Sequence, residues 1–239
     1  MEQSRTDPFR YARSVAPNGY RQQVPRPAQV SVGEPPPWAA LSASERSSVP
    51  FQRFVDAVAL DVPTTALDHA SAAVLVPVFA GRGDGEATIV LIRRASHLQR
   101  DPGHVAFPGG RREPGERPEA AAVREAEEEI GLSRDDVVVQ GVLDVAPQTS
   151  SGDSVAAFLG ILHRPPTLVA NASEVDSVFE IPVAHLLSDG VAWREDWGTK
   201  SRHRSMKFFA DPVVLQDDLI WGVSAHILWN VLERFAKAA

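Results

Sequence analysis

The chain has 239 residues, 44% of them hydrophobic and 23% charged, with a formal net charge of −7 and no cysteine. That length can bury a real core and fits one domain of ~170 residues plus an extension. The acidic balance argues against nucleic acid as a partner. The missing cysteines exclude disulfides, thiolate catalysis and zinc–thiolate centres, and no run approaches the ~18 apolar residues of a membrane helix.

In chain order, residues 1–40 come first, carrying Pro8, Pro17, Pro25, Pro27 and the run Pro35–Pro37 with little apolar periodicity. They read as an extended or partly disordered arm without the apolar core of a secretion signal, so a cytoplasmic location is expected. Its arginines (Arg5, Arg10, Arg13, Arg21, Arg26) outnumber its acids. Such an arm either lies on an acidic surface, its own or that of a partner in a homodimer, or is a tail without function. Residues 41–69 form a helical lead-in: Ser42 to Glu45 offers a capping box, and Phe51, Phe54, Val55 and Val58 follow at helical spacing. The main domain is expected over 70–239. Its buried strands are 72–79 and 88–92 around a glycine-rich turn at 81–85, then 137–145 and 155–162 around a polar loop at 148–153. A strand-like segment spans 178–181, and a helical pattern closes the chain with Ile227, Leu228, Val231, Leu232 and Phe235.

The most informative stretch is Gly110 to Leu132, GRREPGERPEAAAVREAEEEIGL. Pro118 suits a first helical turn, good helix formers follow, and Gly131 supplies a left-handed stop, so one helix is expected over roughly 118–130. On it Glu125, Glu128 and Glu129 share a narrow stripe, Ala122, Val123, Ala126 and Ile130 form an apolar face, and Glu127 points away. Like charges at this spacing destabilise a helix, and only Arg124 offsets them. A hard divalent cation held by carboxylate oxygens resolves the repulsion, and Mg²⁺, which keeps phosphates and waters as further ligands, suits it best. The alternative is an acidic, solvated helix face. The glycines of the lead-in Phe107-Pro108-Gly109-Gly110, with Gly115, let the flanking loop turn sharply against the helix.

The pattern G-x5-E-x7-R-E-U-x-E-E-x-G-U (U aliphatic) resembles the signature of the Nudix hydrolases at every position. That resemblance implies an α/β fold, an α/β/α sandwich with a mixed β-sheet, and metal-assisted hydrolysis of nucleoside diphosphates linked to another moiety. Carried onto this chain, it implies Glu125, Glu128 and Glu129 as ligands of Mg²⁺ or Mn²⁺ and Glu116 as a further acidic member of the metal site. It also implies Arg124 as the residue orienting the glutamates and Glu125 or Glu128 as base. A further carboxylate from a later loop is common in the family, as ligand or water-activating base, and Glu174 is so placed.

The preceding segment, Val90 to Gly110, is similar to a motif of the coenzyme A pyrophosphatases in this superfamily. Leu91, Arg94, Ala95, Gly103 and Phe107 to Gly110 match; Ile92 replaces a threonine, and Gln99 replaces an arginine with Arg100 one place later. The implied substrate is CoA or an acyl-CoA, a small nucleotide, with Arg94, Arg100, Phe107, Gly109 and Gly110 at the ligand. Guanidinium groups suit its diphosphate and 3′-phosphate, and Arg93, Arg94, Arg100, Arg111 and Arg112 are clustered in sequence. The similarity extends over roughly residues 70–235, through Asn171–Val175, Val178–Val183 and Ile220–Leu228. Two other readings stand beside it: hydrolysis of another nucleotide diphosphate such as ADP-ribose, NADH or a dinucleoside polyphosphate, and a non-catalytic nucleotide sensor. His97 and His104 flank the motif, while Trp193, Trp197 and Trp221 offer either adenine stacking or, more commonly, core packing.

Overall fold

A computed structural model of the chain describes residues 24–58, 67, 70–146, 154–199, 202–211, 213–215 and 218–239. The polar loop at 148–153 and residues 1–23 of the arm lie outside them.

Among its described residues the lead-in carries two helices. Ser42 and Glu45 close the capping box over α1 (Ala43–Ser47), the Ser42 hydroxyl accepting the Glu45 N–H and the Glu45 carboxylate accepting the Ser42 N–H. Pro50 disfavours helical backbone at Val49, so the chain extends there and restarts as α2 (Phe51–Val58).

The central sheet begins as a hairpin of β2 (Ala72–Ala80) and β3 (Ala87–Arg94), closed where the Gly81 N–H meets the Glu86 carbonyl at 2.7 Å. These strands pair only over Val78–Ala80 and Ala87–Ile89, then separate like a fork. β4 (Val105–Ala106) pairs with β3 inside the fork, and β5 (Gly109–Arg111) pairs with β2. On its outer edge β3 carries β8 (Val175–Pro182). On its own outer edge β2 runs parallel to β7 (Val155–Leu162), which pairs antiparallel with β6 (Val137–Ala146). The sheet is mixed and seven-stranded.

Strand alternation divides its side chains between two layers. Leu75, Val90, Ile92 and Phe158 pack with Ala121, Ala122, Ala126 and Ile130 of α3 (Pro118–Ile130). Val76, Val78, Ile89, Leu91 and Leu159 face the other way, against α2 and α5 (Gly222–Ala238). The molecule is therefore the expected α/β/α sandwich. Helix α3 follows from local chemistry: Pro118 occupies the first turn, and Gly131 at φ 66° ends it, with the Gly131 and Leu132 N–H groups on the Glu127 and Ala126 carbonyls.

A second sheet, antiparallel β1 (Val30–Val32), β9 (Ala192–Thr199) and β10 (Arg202–Phe209), has no counterpart in the sequence reading. A short helix, α4 (Val183–Leu186), joins the two sheets. Part of the stretch read as an arm is thus built into the fold. The anchor is Glu195, 2% exposed. Its carboxylate accepts Nε and Nη2 of Arg26, both at 2.9 Å, and the indole N–H groups of Trp193 and Trp197 at 3.0 and 2.8 Å. Among the described residues no helix is long and apolar enough to cross a membrane.

Removing one member of a buried ion pair strands the other, at a cost of about 3–5 kcal/mol. Glu195→Ala, which strands Arg26 and two indoles, should lose stability of that order in urea unfolding at neutral pH. A loss below about 1 kcal/mol, the scale of an exposed pair, would show that Glu195 is not the anchor.

Candidate metal centre

The fork in the central sheet places the site. From β5 the chain enters the loop to α3, and α3 returns across β2 with its glutamates toward the fork. Glu129 comes closest to the sheet, at 1% exposure. Its Oε2 accepts the Gly109 N–H at 2.9 Å and its Oε1 lies 3.3 Å from Nη1 of Arg94. Gly109 has φ 152°, and a Cβ there would collide with the Ala73 carbonyl of the neighbouring strand. A Cβ on Gly110 would stand 2.5 Å from the Glu125 carboxylate. Gly109 therefore lets β5 close on β2, and Gly110 lets the Glu125 carboxylate settle onto backbone.

Glu125, Glu129 and Glu174 each offer an oxygen within 4.8 Å of the other two. Glu174 reaches them from the loop before β8. Glu128 stands beside the trio, exposed, and Glu116 lies at the far side of Arg124. The Arg124 guanidinium joins them: Nε and Nη2 take the two Glu116 oxygens at 2.9 and 3.0 Å, and Nη1 takes Glu125 and Glu128, both at 3.0 Å. Nη2 also donates to the Arg111 carbonyl at 3.1 Å, fixing helix to the end of β5. Glu127 turns away to Arg134.

The electrostatics separate the glutamates. The Arg124 hydrogen bonds hold Glu116 below the usual carboxylate range. Burial pushes Glu125 up against the pull of Arg124. Glu129 is pushed from an ordinary 4.5 to about 7, chiefly by burial, with Glu125 and Glu174 adding repulsion that the Gly109 N–H and Arg94 only partly offset. Three hard oxygen donors from separate side chains, short of compensating positive charge, fit a hard divalent cation.

The remaining candidates are scattered. Arg94 is at the trio, and Arg100 is exposed on the 95–104 loop. Phe107 is buried in the core on the α5 side. Arg93 does not join Arg94: it is buried against Asp218, Nε to Oδ2 at 2.6 Å, and lies over the Phe179 ring. Arg112 clamps the loop through the Glu116 and Ala70 carbonyls. His97 faces the Ser173 carbonyl at 3.1 Å, and His104, whose imidazole burial pushes down, packs against Trp221. Trp193 and Trp197 pack on Phe208 rather than facing the site. The Gly109 N–H is a contributor that side-chain patterns alone do not reveal; the FPGG run was its only trace.

A carboxylate raised on folding binds a proton in the native state that the unfolded chain has released above 4.5. Glu129 therefore lowers stability progressively as pH rises from about 4.5 to about 7. In chelator, Glu129→Gln should flatten that decline and raise the melting temperature at neutral pH, while abolishing Mn²⁺ binding in titration calorimetry. An unchanged pH slope would remove the strained carboxylate from the account.

The NUDIX domain family matches residues 69–198. The chain is 34% identical to the uncharacterized Nudix hydrolase NudL of Photorhabdus laumondii over 165 residues, 68% of this chain and 83% of that protein. It is 37% identical over 132 residues to the peroxisomal coenzyme A diphosphatase ndx-8 of Caenorhabditis elegans, covering 54% of this chain and 56% of that one. Among solved structures, the M. smegmatis Nudix hydrolase RenU aligns at 28% identity with a TM-score of 0.40, over 48% of this chain and 71% of that one. Nudix hydrolases generally use divalent metal ions and act on small nucleotide substrates. With the signature lying on α3 as described, the chain belongs to the Nudix family and is a hydrolase of pyrophosphate bonds.

Proposed function

We propose that the protein is a CoA and acyl-CoA diphosphatase, cutting the diphosphate to 3′,5′-ADP and (acyl-)4′-phosphopantetheine with Mg²⁺ or Mn²⁺. The observation that carries this reading is Arg94. It belongs to the segment resembling CoA pyrophosphatases, and its guanidinium stands 3.3 Å from Glu129, so a planar phosphate partner borders the trio. The similarity to the C. elegans CoA diphosphatase supports the same substrate. Of the two departures from that motif, Ile92 is fully buried in the core on the α3 face. Only Gln99, exposed on its loop, still favours the second reading, another nucleotide diphosphate.

In this reading Glu125, Glu129 and Glu174 hold the cation, with Glu116 and Glu128 at its rim through Arg124. When bound, the cation neutralises phosphate charge and polarises the phosphorus–oxygen bonds. Arg94 and Arg100 take phosphate oxygens, and the side-chain-free start of β5 at Gly109 and Gly110 gives the ligand access to backbone. Phe107 supports that strand from the core. Arg124 orients Glu125 and Glu128. Glu128, outside the trio and exposed, takes the proton of the attacking water as its oxygen bonds phosphorus and the bridging phosphorus–oxygen bond breaks. Positioning and charge compensation supply most of the rate.

With CoA, acetyl-CoA, dephospho-CoA, ADP-ribose, NADH and a dinucleoside polyphosphate assayed under Mg²⁺ and Mn²⁺, kcat/KM should favour CoA over dephospho-CoA at least about tenfold, one charged contact. Equal rates on the two, or preference for ADP-ribose, would overturn the substrate assignment. Glu128→Gln should cut kcat by at least about a hundredfold with the melting temperature unchanged. Activity within about tenfold of the parent would take the base role from Glu128.

A further inference from the structure

Glu174 lies 45 residues beyond Glu129 in sequence, on a loop, yet the two share one site. Something must hold that loop to the helix. The last four carbonyls of α3 have no partners within the helix. Glu127 is served by the Gly131 N–H and Ile130 by the Val169 N–H at 2.9 Å. The other two go to a single residue: Asn171 donates its backbone N–H to the Glu129 carbonyl at 2.9 Å and its side-chain Nδ2 to the Glu128 carbonyl at 3.2 Å. The opposite side of Asn171 builds the Glu174 turn. Its carbonyl accepts the N–H groups of Glu174 and Val175 at 2.9 and 2.8 Å, and its Oδ1 accepts the Ser173 N–H and hydroxyl at 3.2 and 2.7 Å. The Glu174 carbonyl then accepts the Ala95 N–H at 2.8 Å, tying the turn to the end of β3.

We infer that Asn171 is the positioning residue of the metal centre: it caps the helix that bears Glu125 and Glu129 with the same side chain that folds the turn bearing Glu174. The inference rests on the trio being the cation site. An amide donates from one atom and accepts at the other; aspartate would set an oxygen against the Glu128 carbonyl, and alanine would keep the backbone bonds but lose the side-chain links to Glu128 and Ser173.

The test is a double-mutant cycle on Mn²⁺ affinity, measured by calorimetry and by the paramagnetic resonance signal of free ion, with kcat and KM alongside. Asn171→Ala should weaken Mn²⁺ binding about tenfold, the scale on which residues supporting metal ligands act. kcat should fall with it, and KM should stay within about twofold. In the Glu174→Ala background the same substitution should change affinity by less than about twofold, because its effect runs through Glu174. Ser173→Ala, which frees Oδ1 with little risk to the fold, should act in the same direction more weakly and vanish in the same background. Unchanged affinity in Asn171→Ala, or effects that multiply with Glu174→Ala, would overturn the assignment. Wild-type protein that binds no Mn²⁺ would also overturn it. Wild-type protein that binds Mn²⁺ but leaves CoA intact refutes only the substrate reading, since the cycle is read on affinity.

Discussion

Everything at the fork follows from one constraint: carboxylates that repel each other are brought together where water is scarce. Repulsion between unit charges a few ångströms apart grows as the surroundings dry, so such a cluster persists only if the scaffold opposes it. Here the opposition is distributed. The Gly109 N–H and Arg94 grip Glu129, Arg124 grips Glu125, and the apolar face of α3 keeps the helix on the sheet. Fold stability and site strain are thus set against each other along one helix. Stability falls short of its maximum at the carboxylate cluster.

The forked sheet makes this arrangement rigid. A hairpin paired along its whole length would leave no room for a backbone donor facing the helix. By separating after three paired residues, β2 and β3 admit β4 and β5, and the Gly109 N–H aims at a carboxylate instead of at another strand. Within the trio, Glu125 and Glu129 come from the helix and Glu174 from a loop, and that loop is itself hydrogen-bonded to both neighbours.

How much of this was legible in the sequence depended on the range of the interactions. Helix α3 spans 118–130 as its proline, its helix formers and Gly131 dictate, because all those effects act within a turn or two. The strands 72–80 and 87–94 declared themselves through continuous apolar runs, as strands buried on both faces do. The second sheet did not. Its strands, such as Arg202–Phe209, are largely polar, and their partner Val30–Val32 lies over 160 residues from β9. Its anchor Glu195 looks like any surface glutamate until Arg26 is found on it. The helical stripe likewise grouped Glu128 with Glu125 and Glu129. In the structure Glu128 is exposed and bonded to Arg124, while Glu174 brings an oxygen within 4.8 Å of Glu125 and Glu129, a proximity that angular spacing on a helix cannot register.

The three-stranded sheet and α5 also bear on what counts as a module. The span shared with the family ends at residue 198, inside β9, so the shared span omits β10 and α5. A fragment trimmed to it would keep the trio but lay bare the sheet face that Ile227, Leu228, Val231, Leu232 and Phe235 cover. The carboxylate trio and the layer that closes the opposite sheet face thus lie on different stretches of the chain. Moving the segment that bears the glutamates into another protein would therefore require a replacement for that apolar layer, which can be varied without touching the glutamates.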